Sequence, residues 1–260
     1  MNVVGEVYKP APEVLVEMYE TFQRQGAEIT RQFRDGTLIP AHVQALIEHR
    51  NPFASEVSPA RINHAQLVVS KPCSERTGVE QLVEWIALYA ELGITLTSEE
   101  VTIPAHQEGL DRLIVVPKGM MPQKAFDLCT VRFNGKTWKY VSQSLDKAVP
   151  TNDRTAESGS YAIWIRDRVE ADEELKNLSA DMLTEQSVKG ITLLERLLYE
   201  IKYHAETGKH LDLKNWTLCS GSRVSDGYVP SVYWNDGKLW VLWHYVSSRF
   251  GNLRSRAVSL

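Results

Sequence analysis

Two alternating segments near the carboxyl end most constrain what this chain can fold into. They flank Asn235-Asp236-Gly237, and Asp and Gly tolerate the positive φ angles that tight hairpin turns require. The pattern therefore predicts a β hairpin. Side chains alternate between the two faces of a strand, so one face collects apolar residues and is expected to pack on the core. Its members are Val232, Trp234, Leu239, Val241 and Trp243.

The opposite face of the predicted hairpin is also rich in aromatic and aliphatic groups. Its members are Ser231, Tyr233, Trp240, Leu242 and His244. A half-buried antiparallel strand normally shows one polar face, so either both faces are buried or the second is an apolar surface that binds a ligand. Four of the seven tryptophans fall within 28 residues around this hairpin. Tyr and Trp are favoured at binding surfaces because they offer large contact area at small entropic cost.

Length, charge and cysteine content exclude several classes of protein. A chain of 260 residues can form one large or two ordinary domains, and its net charge of -4 disfavours general nucleic-acid binding. Cys73, Cys129 and Cys219 form no CxxC pair, so neither a zinc site nor a disulfide framework is predicted. No signal peptide and no apolar run of roughly 20 residues, as a membrane span needs, is seen. We therefore expect a cytoplasmic protein.

The region from residue 1 to residue 105 is predicted to be mostly helical. Apolar residues at helical spacing follow Pro12, a second helix is expected after Pro40, and a third apolar stripe ends at Gly93. The members of the third stripe are Val79, Leu82, Val83, Ile86, Ala87 and Ala90. Such stripes usually mark packing, so we expect this region, whose role is unknown, to mediate docking or oligomerisation.

Residues 106–260 mix strand and helix signals, which predicts an α+β domain. The predicted elements are strands at 113–116 and 161–165, a helix at 122–129 and a second hairpin around Asn134-Gly135. The strongest helix begins at Thr192, which can form a capping box with Glu195, and ends at Gly208.

No pattern in the sequence assembles an active site. Glu200 and His204 share a helix face, as metal ligands do, and Glu206 and His210 are near, but Gly208 is expected to end the helix before His210. An HExxH order, a G-x-S-x-G elbow, a P-loop and a GxGxxG motif are absent. Helix pairing and capping explain these residues, so we predict no catalytic residue, no metal and no cofactor.

Two further polar runs have ordinary explanations. Ser220-Gly221-Ser222-Arg223 could form an anion-binding nest from backbone amides, but Gly and Ser are also common turn formers, and we favour a turn. Carboxylates between Asp167 and Glu174 could hold calcium, but the run lacks the glycine of an EF-hand loop. We expect a solvated face there.

The segment from Gly190 to Leu260 resembles the variable proteins of diversity-generating retroelements. The resemblance rests on GITLLERLLYEIKYHAETGKHLDLKNWTLCSGSR, then SDGYVP, W, GKL, V, W and LRSRAVSL, and extends back to SYAIWIRDRVEADEELKNLSADML. It implies a C-type-lectin-like fold, related to that of formylglycine-generating enzyme, for about residues 106–260. The catalytic cysteines of those enzyme relatives have no counterpart, because Cys219 is the only cysteine of this segment.

In that family a reverse transcriptase mutates template adenines, so that Asn codons become diverse residues within a fixed frame. The implied frame is Gly221, Ser222, Arg223, Asp226, Gly227, Val229, Pro230, Val232, Trp234, Leu239, Val241, Trp243, Leu253, Arg254, Arg256 and Ala257. The implied ligand-binding positions, in a variable region of about 219–260, are Val224, Tyr228, Ser231, Tyr233, Trp240, Leu242, His244, Tyr245, Ser247, Arg249 and Phe250. Trp240 departs from the pattern, because randomising the adenines of AAC or AAT leaves a third base that cannot give Trp.

Three hypotheses of function follow from the sequence. The leading one is a non-enzymatic binding protein whose carboxyl-terminal surface recognises a macromolecular ligand, expected to be a protein. The second is a metal-dependent enzyme on the same fold that uses Glu200, His204 or Cys219. The third is a structural protein in which the amino-terminal helices cover the second face of the hairpin.

Overall fold

The computed structural model describes residues 71–260, which form an α+β fold. The helices predicted after Pro12 and Pro40 lie outside the described residues. The helices are α1 (Gly78–Glu91), α2 (Pro122–Arg132), α3 (Leu145–Ala148), α4 (Ala180–Glu185) and α5 (Leu193–Thr207). The strands are β1 (Arg112–Val116), β2 (Thr137–Lys139), β3 (Thr151–Asn152), β4 (Tyr161–Ile165), β5 (Trp216–Leu218), β6 (Ser222–Arg223), β7 (Val229–Asn235), β8 (Lys238–His244), β9 (Leu253–Arg254) and β10 (Val258–Ser259).

These strands form three sheets. The largest has five strands in the order β2-β8-β7-β5-β9, and its centre is the predicted hairpin of β7 and β8. Asp236 and Gly237 adopt the positive φ angles of 49° and 71° that the turn sequence predicts. A three-stranded sheet has the order β1-β4-β10, and β3 pairs with β6.

Helix α1 packs against β1, which is an edge strand of the three-stranded sheet. Its side chains bond to the backbone of that edge: Gln81 accepts from the amide of Leu113 at 2.8 Å and the indole of Trp85 donates to the carbonyl of Leu113 at 2.8 Å. The hydroxyl of Tyr89 donates to the carbonyl of Val115 at 2.6 Å. Three backbone groups of this edge, at Leu113 and Val115, are therefore satisfied by side chains of a helix.

The buried face of α1 differs from the stripe that the sequence predicts. Its buried residues are Gln81, Leu82, Trp85, Leu88 and Tyr89. Val79 and Val83 are 65% and 58% exposed, and Ala90 is also exposed, so the predicted stripe is wrong at these three positions. The α1 core residues belong to the same hydrophobic cluster as those of β1 and α5. Among the described residues, one compact unit therefore includes α1 together with residues 106–260.

Helix α5 is the central element of this core, and its predicted bounds are confirmed. Thr192 and Glu195 form the capping box, and Gly208 ends the helix with a φ of 68°. Every residue from Leu193 to Lys202 is buried, because α5 contacts α1, α2, β1 and β7. The apolar residues at helical spacing in its sequence are Leu194, Leu197, Leu198, Ile201 and Ala205. Of these, only Ala205 is exposed.

The second predicted hairpin, around Asn134-Gly135, is wrong. Asn134 and Gly135 have φ angles of 53° and 78°, but they follow the end of α2 rather than joining two strands. The following strand β2 pairs in parallel with β8, with Trp138 opposite Trp240. A left-handed Asn-Gly pair suits a helix end as well as a hairpin, so this local signal is ambiguous.

A buried ion network connects α5 to the carboxyl-terminal segment. Arg196 donates from Nε to Asp212 at 2.9 Å and from Nη1 to Glu200 at 2.8 Å. Arg256 donates from Nη2 to the other oxygen of Asp212 at 2.7 Å and from Nε to Thr217 at 3.0 Å. All five residues are at most 1% exposed. Asp212 is the shared acceptor and joins the two guanidinium groups.

Candidate functional site

The inner face of the hairpin packs on the main hydrophobic core. Its fully buried members are Val232, Leu239 and Val241. Trp234 and Trp243 are half-buried and pack against the margin of this core, so the prediction that both are core residues holds only in part. The indole of Trp234 stacks on the imidazole of His210 with 6° between the ring planes.

Four aromatic residues form a row across the outer face of the five-stranded sheet. Trp138 lies opposite Trp240, and Trp240 lies opposite Tyr233. On β5, Trp216 stacks on Tyr233. Neighbouring ring centroids along the row are 4.8, 6.5 and 4.8 Å apart. Trp138, Trp240, Tyr233 and Trp216 are called the aromatic row below.

The burial of Tyr233 arises within the aromatic row. Tyr233 is 9% exposed, yet it belongs to neither of the two hydrophobic clusters of the described residues. Its ring lies between those of Trp240 and Trp216, with 16° and 27° between the planes. Trp138 is 38% exposed, and Trp240 and Trp216 are half-buried. The row therefore remains accessible along its ring edges.

The other end of the outer face is covered by a second, smaller hydrophobic cluster. Its buried sheet residues Leu218, Val229 and Leu253 pack with residues in and before helix α4. The buried residues of that covering segment are Leu175, Ala180 and Leu183. The outer face is thus divided into a covered end and an end that carries the aromatic row. The face is therefore buried at one end and accessible at the other.

Ser231 and His244 lie between these two ends. The hydroxyl of Ser231, which is fully buried, lies 2.9 Å from Nε2 of His244. Burial lowers the pKa of His244 to about 4, so its imidazole is neutral near pH 7. Leu242, on the same face, is half-buried. Ser231 cannot contact a ligand in this conformation, although the resemblance implies that it does.

The remaining implied positions divide between core and surface. Val224 is 6% exposed and belongs to the main core, so it too cannot contact a ligand in this conformation. Tyr228 is half-buried and packs on Tyr245, with ring centroids 4.7 Å apart.

The segment after β8 is a surface loop. Its turn is closed by a bond from the amide of Ser248 to the carbonyl of Tyr245 at 2.9 Å. Tyr245 and Phe250 are 64% and 47% exposed, and Ser247 and Arg249 are also exposed. Residues 245–250 therefore form a loop, whereas His244 still belongs to β8.

Sequence reasoning missed two members of the aromatic row. Trp138 joins the row only because β2 pairs in parallel with β8, and no local pattern predicts a pairing between segments so distant in the chain. Trp216 lies close to the hairpin in sequence, but its place beside Tyr233 depends on the antiparallel pairing of β5 with β7. The available signal for these two residues was that each lies in a short segment that contains aromatic residues and is long enough to form a strand.

The structure brings Glu200, His204 and His210 near one another, with 4.9 Å between the centroids of the two imidazoles, but not into a metal site. Glu200 is buried and bonds to Arg196 and to Nδ1 of His210, the latter at 2.9 Å. Glu206 instead pairs with Arg112 at 2.6 Å. Within residues 71–260, no group of three or more His, Cys, Asp or Glu side chains could hold a metal ion.

Two of the residues named for the enzyme hypothesis have shifted pKa values. Burial, together with the charges of Arg132 and His210, lowers the pKa of His204. Burial raises the pKa of the Cys219 thiol, which disfavours the reactive thiolate.

The other polar runs are used within the fold. Nη1 of Arg223 donates to the carbonyls of Ser220 and Ser222 at 2.7 and 2.9 Å, and the amide of Gly221 donates to Ile191. In the acidic run, Asp167, Asp172 and Glu174 pair with arginines, and Glu170 accepts from backbone amides of residues 213–215.

Comparisons with known proteins give no relative. No protein-family model matches the chain, and no curated protein or solved structure is significantly similar to it. Among the described helices, none is both long and apolar enough to cross a membrane.

Proposed function

We propose that the chain is a non-enzymatic ligand-binding protein whose recognition surface is the outer face of the five-stranded sheet and the loop after β8. In this proposal it is a variable protein of a diversity-generating retroelement with a C-type-lectin-like fold. The observation that supports it best is the aromatic row. Trp138, Trp240 and Tyr233 lie outside both hydrophobic clusters of the described residues, and Trp216 packs against the margin of the second cluster. Large aromatic groups in such positions commonly serve as anchors for a partner.

The division between frame and variable positions also supports the proposal. The implied frame residues Val232, Leu239 and Val241 are fully buried, and Arg256 is held in the buried ion network. Most of the implied variable positions are instead half-buried or exposed. Residues that hold a scaffold resist substitution, whereas exposed loop residues tolerate it.

Trp240 fits a fixed position within this scheme. Its ring contacts Trp138 on one side and Tyr233 on the other, and its Nε1 donates to the carbonyl of Asn235 at 2.9 Å. A residue with three partners inside the sheet helps to hold the sheet together and also forms part of its surface. This agrees with the codon argument, which excludes Trp as a product of adenine randomisation at an AAC or AAT codon.

The test is the pattern of variation in the gene. We expect the 3′ end of the gene to have an adenine-enriched near-copy beside a reverse transcriptase, and isolates to differ mainly at Leu242, Tyr245, Ser247, Arg249 and Phe250. Variation spread evenly over buried and exposed positions would refute the proposal. So would a gene without any such near-copy.

A protein-level test separates recognition from a structural role. Replacing Leu242, Tyr245 and Phe250 together with Ser should leave the melting temperature within a few degrees of the parent, because these side chains contribute little to either core. The matched control replaces the buried Val241 with Ser and should melt far lower. A triple variant that melts as low as the control would favour the structural alternative.

A further inference from the structure

Two lysines lie beside the aromatic row on the outer face of the sheet. Lys238 begins β8, and alternation along that strand puts it on the same face as Trp240. Lys136 directly precedes β2, and the same alternation puts it on the face of Trp138. The amide of Leu239 donates to the carbonyl of Lys136 at 3.0 Å, so the two lysines are neighbours across the parallel pair.

Both lysines are available to a partner. Each is exposed, and neither makes an ion pair with another described residue. Asp236, in the hairpin turn beside Lys238, can offset the charge of only one of the two lysines. The basic pair therefore gives the accessible end of the outer face a local positive charge, although the whole chain carries -4.

The aromatic row adds to this positive character through its ring edges. Neighbouring strands are about 4.8 Å apart, so rings that rise from adjacent strands face one another. The small angles between the planes of Tyr233 and its two neighbours, 16° and 27°, show this arrangement. Ring faces carry partial negative charge and ring edges partial positive charge. The inner faces are turned towards neighbouring rings, which leaves the ring edges as the main surface for a ligand.

We propose that this surface binds an acidic, extended protein segment, with carboxylates on Lys136 and Lys238 and carbonyl, carboxylate or aromatic groups on the edges of the row. The inference rests on the proposed function, because it assigns a chemistry to the ligand of the same surface. Charge complementarity carries it: both the lysines and the ring edges favour a partner rich in negative charge and acceptor oxygens.

Single-stranded nucleic acid is the main competitor, since it combines negative charge with flat bases. Bases bind aromatic side chains by stacking on ring faces. In this row, Tyr233 lies between two nearly parallel rings, and Trp240 lies between Tyr233 and the tilted ring of Trp138. The inner rings of the row therefore offer stacked bases fewer open faces than a series of separate rings would.

The experiment measures binding of the full chain to four immobilised probes: a random Glu-Tyr copolymer, a random Lys-Tyr copolymer, a 20-mer of deoxythymidine and heparin. We expect the Glu-Tyr copolymer to bind most tightly, and its affinity to fall when sodium chloride is raised from 20 to 500 mM, because salt screens exposed charges. The double charge reversal Lys136→Glu with Lys238→Glu should weaken that binding about tenfold.

Matched controls keep this result specific. Lys118→Glu with Lys124→Glu makes the same change of net charge at exposed lysines on a turn and on α2, and it should leave affinity unchanged. Trp138→Ala should weaken binding several-fold, whereas Val131→Ala, at an apolar residue 78% exposed on α2, should not. Each variant is first compared with the parent by thermal melting and far-ultraviolet circular dichroism.

The outcomes separate this inference from the proposed function. If deoxythymidine or heparin binds more tightly than the Glu-Tyr copolymer and loses affinity in the double reversal, the surface is a binding site but the ligand class is wrong. If the double reversal and Trp138→Ala bind all four probes as the parent does, the inference is overturned. The variation among isolates tests the proposed function without regard to either result.

Discussion

Removing the charge of Asp212 should destabilise the protein more than any other single carboxylate change in the buried ion network. Asp212 accepts from Arg196, Arg256, Thr217 and the amide of Ala171, and it is fully buried. Asp212→Asn preserves the shape of the side chain and tolerates the φ of 52°, so the perturbation is confined to charge and acceptor capacity.

The expected loss of stability follows from the hydrogen-bond acceptors that remain around the two arginines in Asp212→Asn. Arg196 keeps Glu200, but Arg256 keeps only the carbonyls of Arg168 and Val169 and the hydroxyl of Thr217. A buried cation that loses its counter-ion costs about 3–5 kcal/mol. Since the Asn oxygen still accepts one hydrogen bond, we expect about 3 kcal/mol, or a melting temperature lower by roughly 6–12 °C.

Urea unfolding followed by tryptophan fluorescence and far-ultraviolet circular dichroism measures this change. Asp226→Asn is the matched control, because Asp226 is an exposed carboxylate in the loop before β7, and it should shift stability by less than about 0.5 kcal/mol. A loss below about 1 kcal/mol for Asp212→Asn, with an unchanged unfolding slope, would show that the network does not stabilise the fold as argued.

Three further changes test other parts of the structure. The pKa of His244 is lowered to about 4 in the fold, so the unfolded chain binds a proton first as pH falls below about 6.5. The contribution of His244 is therefore complete above pH 6.5 and declines as pH falls towards 4, and His244→Gln should flatten the stability profile in that window by urea titration. Gly221→Ala should lower the melting temperature through a loss of about 1–3 kcal/mol, since a Cβ there would lie 2.6 Å from the carbonyl of Gly190, and an unchanged melt would contradict the close packing. Trp234→Ala should cost about 2–3 kcal/mol in urea, less than for a fully buried Trp, because its ring is half-buried against His210; a loss above 5 kcal/mol would mean that it lies in the core.

Two signals that are local in sequence predicted this structure well, although a third, at Asn134-Gly135, did not. The capping box of Thr192 and Glu195 and the turn at Asn235-Asp236-Gly237 are each decided by residues within a few positions of one another. Their hydrogen bonds and φ preferences are the same in any tertiary setting. Alternation then assigned the inner face of the hairpin, because burial of one face fixes the register.

Predictions that depend on contacts between residues distant in the chain were wrong or left alternatives open. On α1, Gln81 is buried and Val83 is exposed, which is the reverse of what hydrophobicity predicts, because the Gln81 amide bonds to the edge of β1. The aromatic row could be predicted only in part, since Tyr233 and Trp240 are joined by a local hairpin whereas Trp138 arrives through a parallel pairing. The division of the outer face likewise depends on α4, which the hairpin sequence does not specify.

The helix that lies along β1 also has a consequence for how copies of this protein behave when crowded together. An edge strand with free amide and carbonyl groups is a template on which a strand of another molecule can add, and this is a common start of aggregation. Here the side chains of Gln81, Trp85 and Tyr89 already bond to the amide and carbonyl of Leu113 and to the carbonyl of Val115. A strand from another molecule could therefore pair with this edge only after α1 had moved away, however many aromatic residues are exposed on the five-stranded sheet.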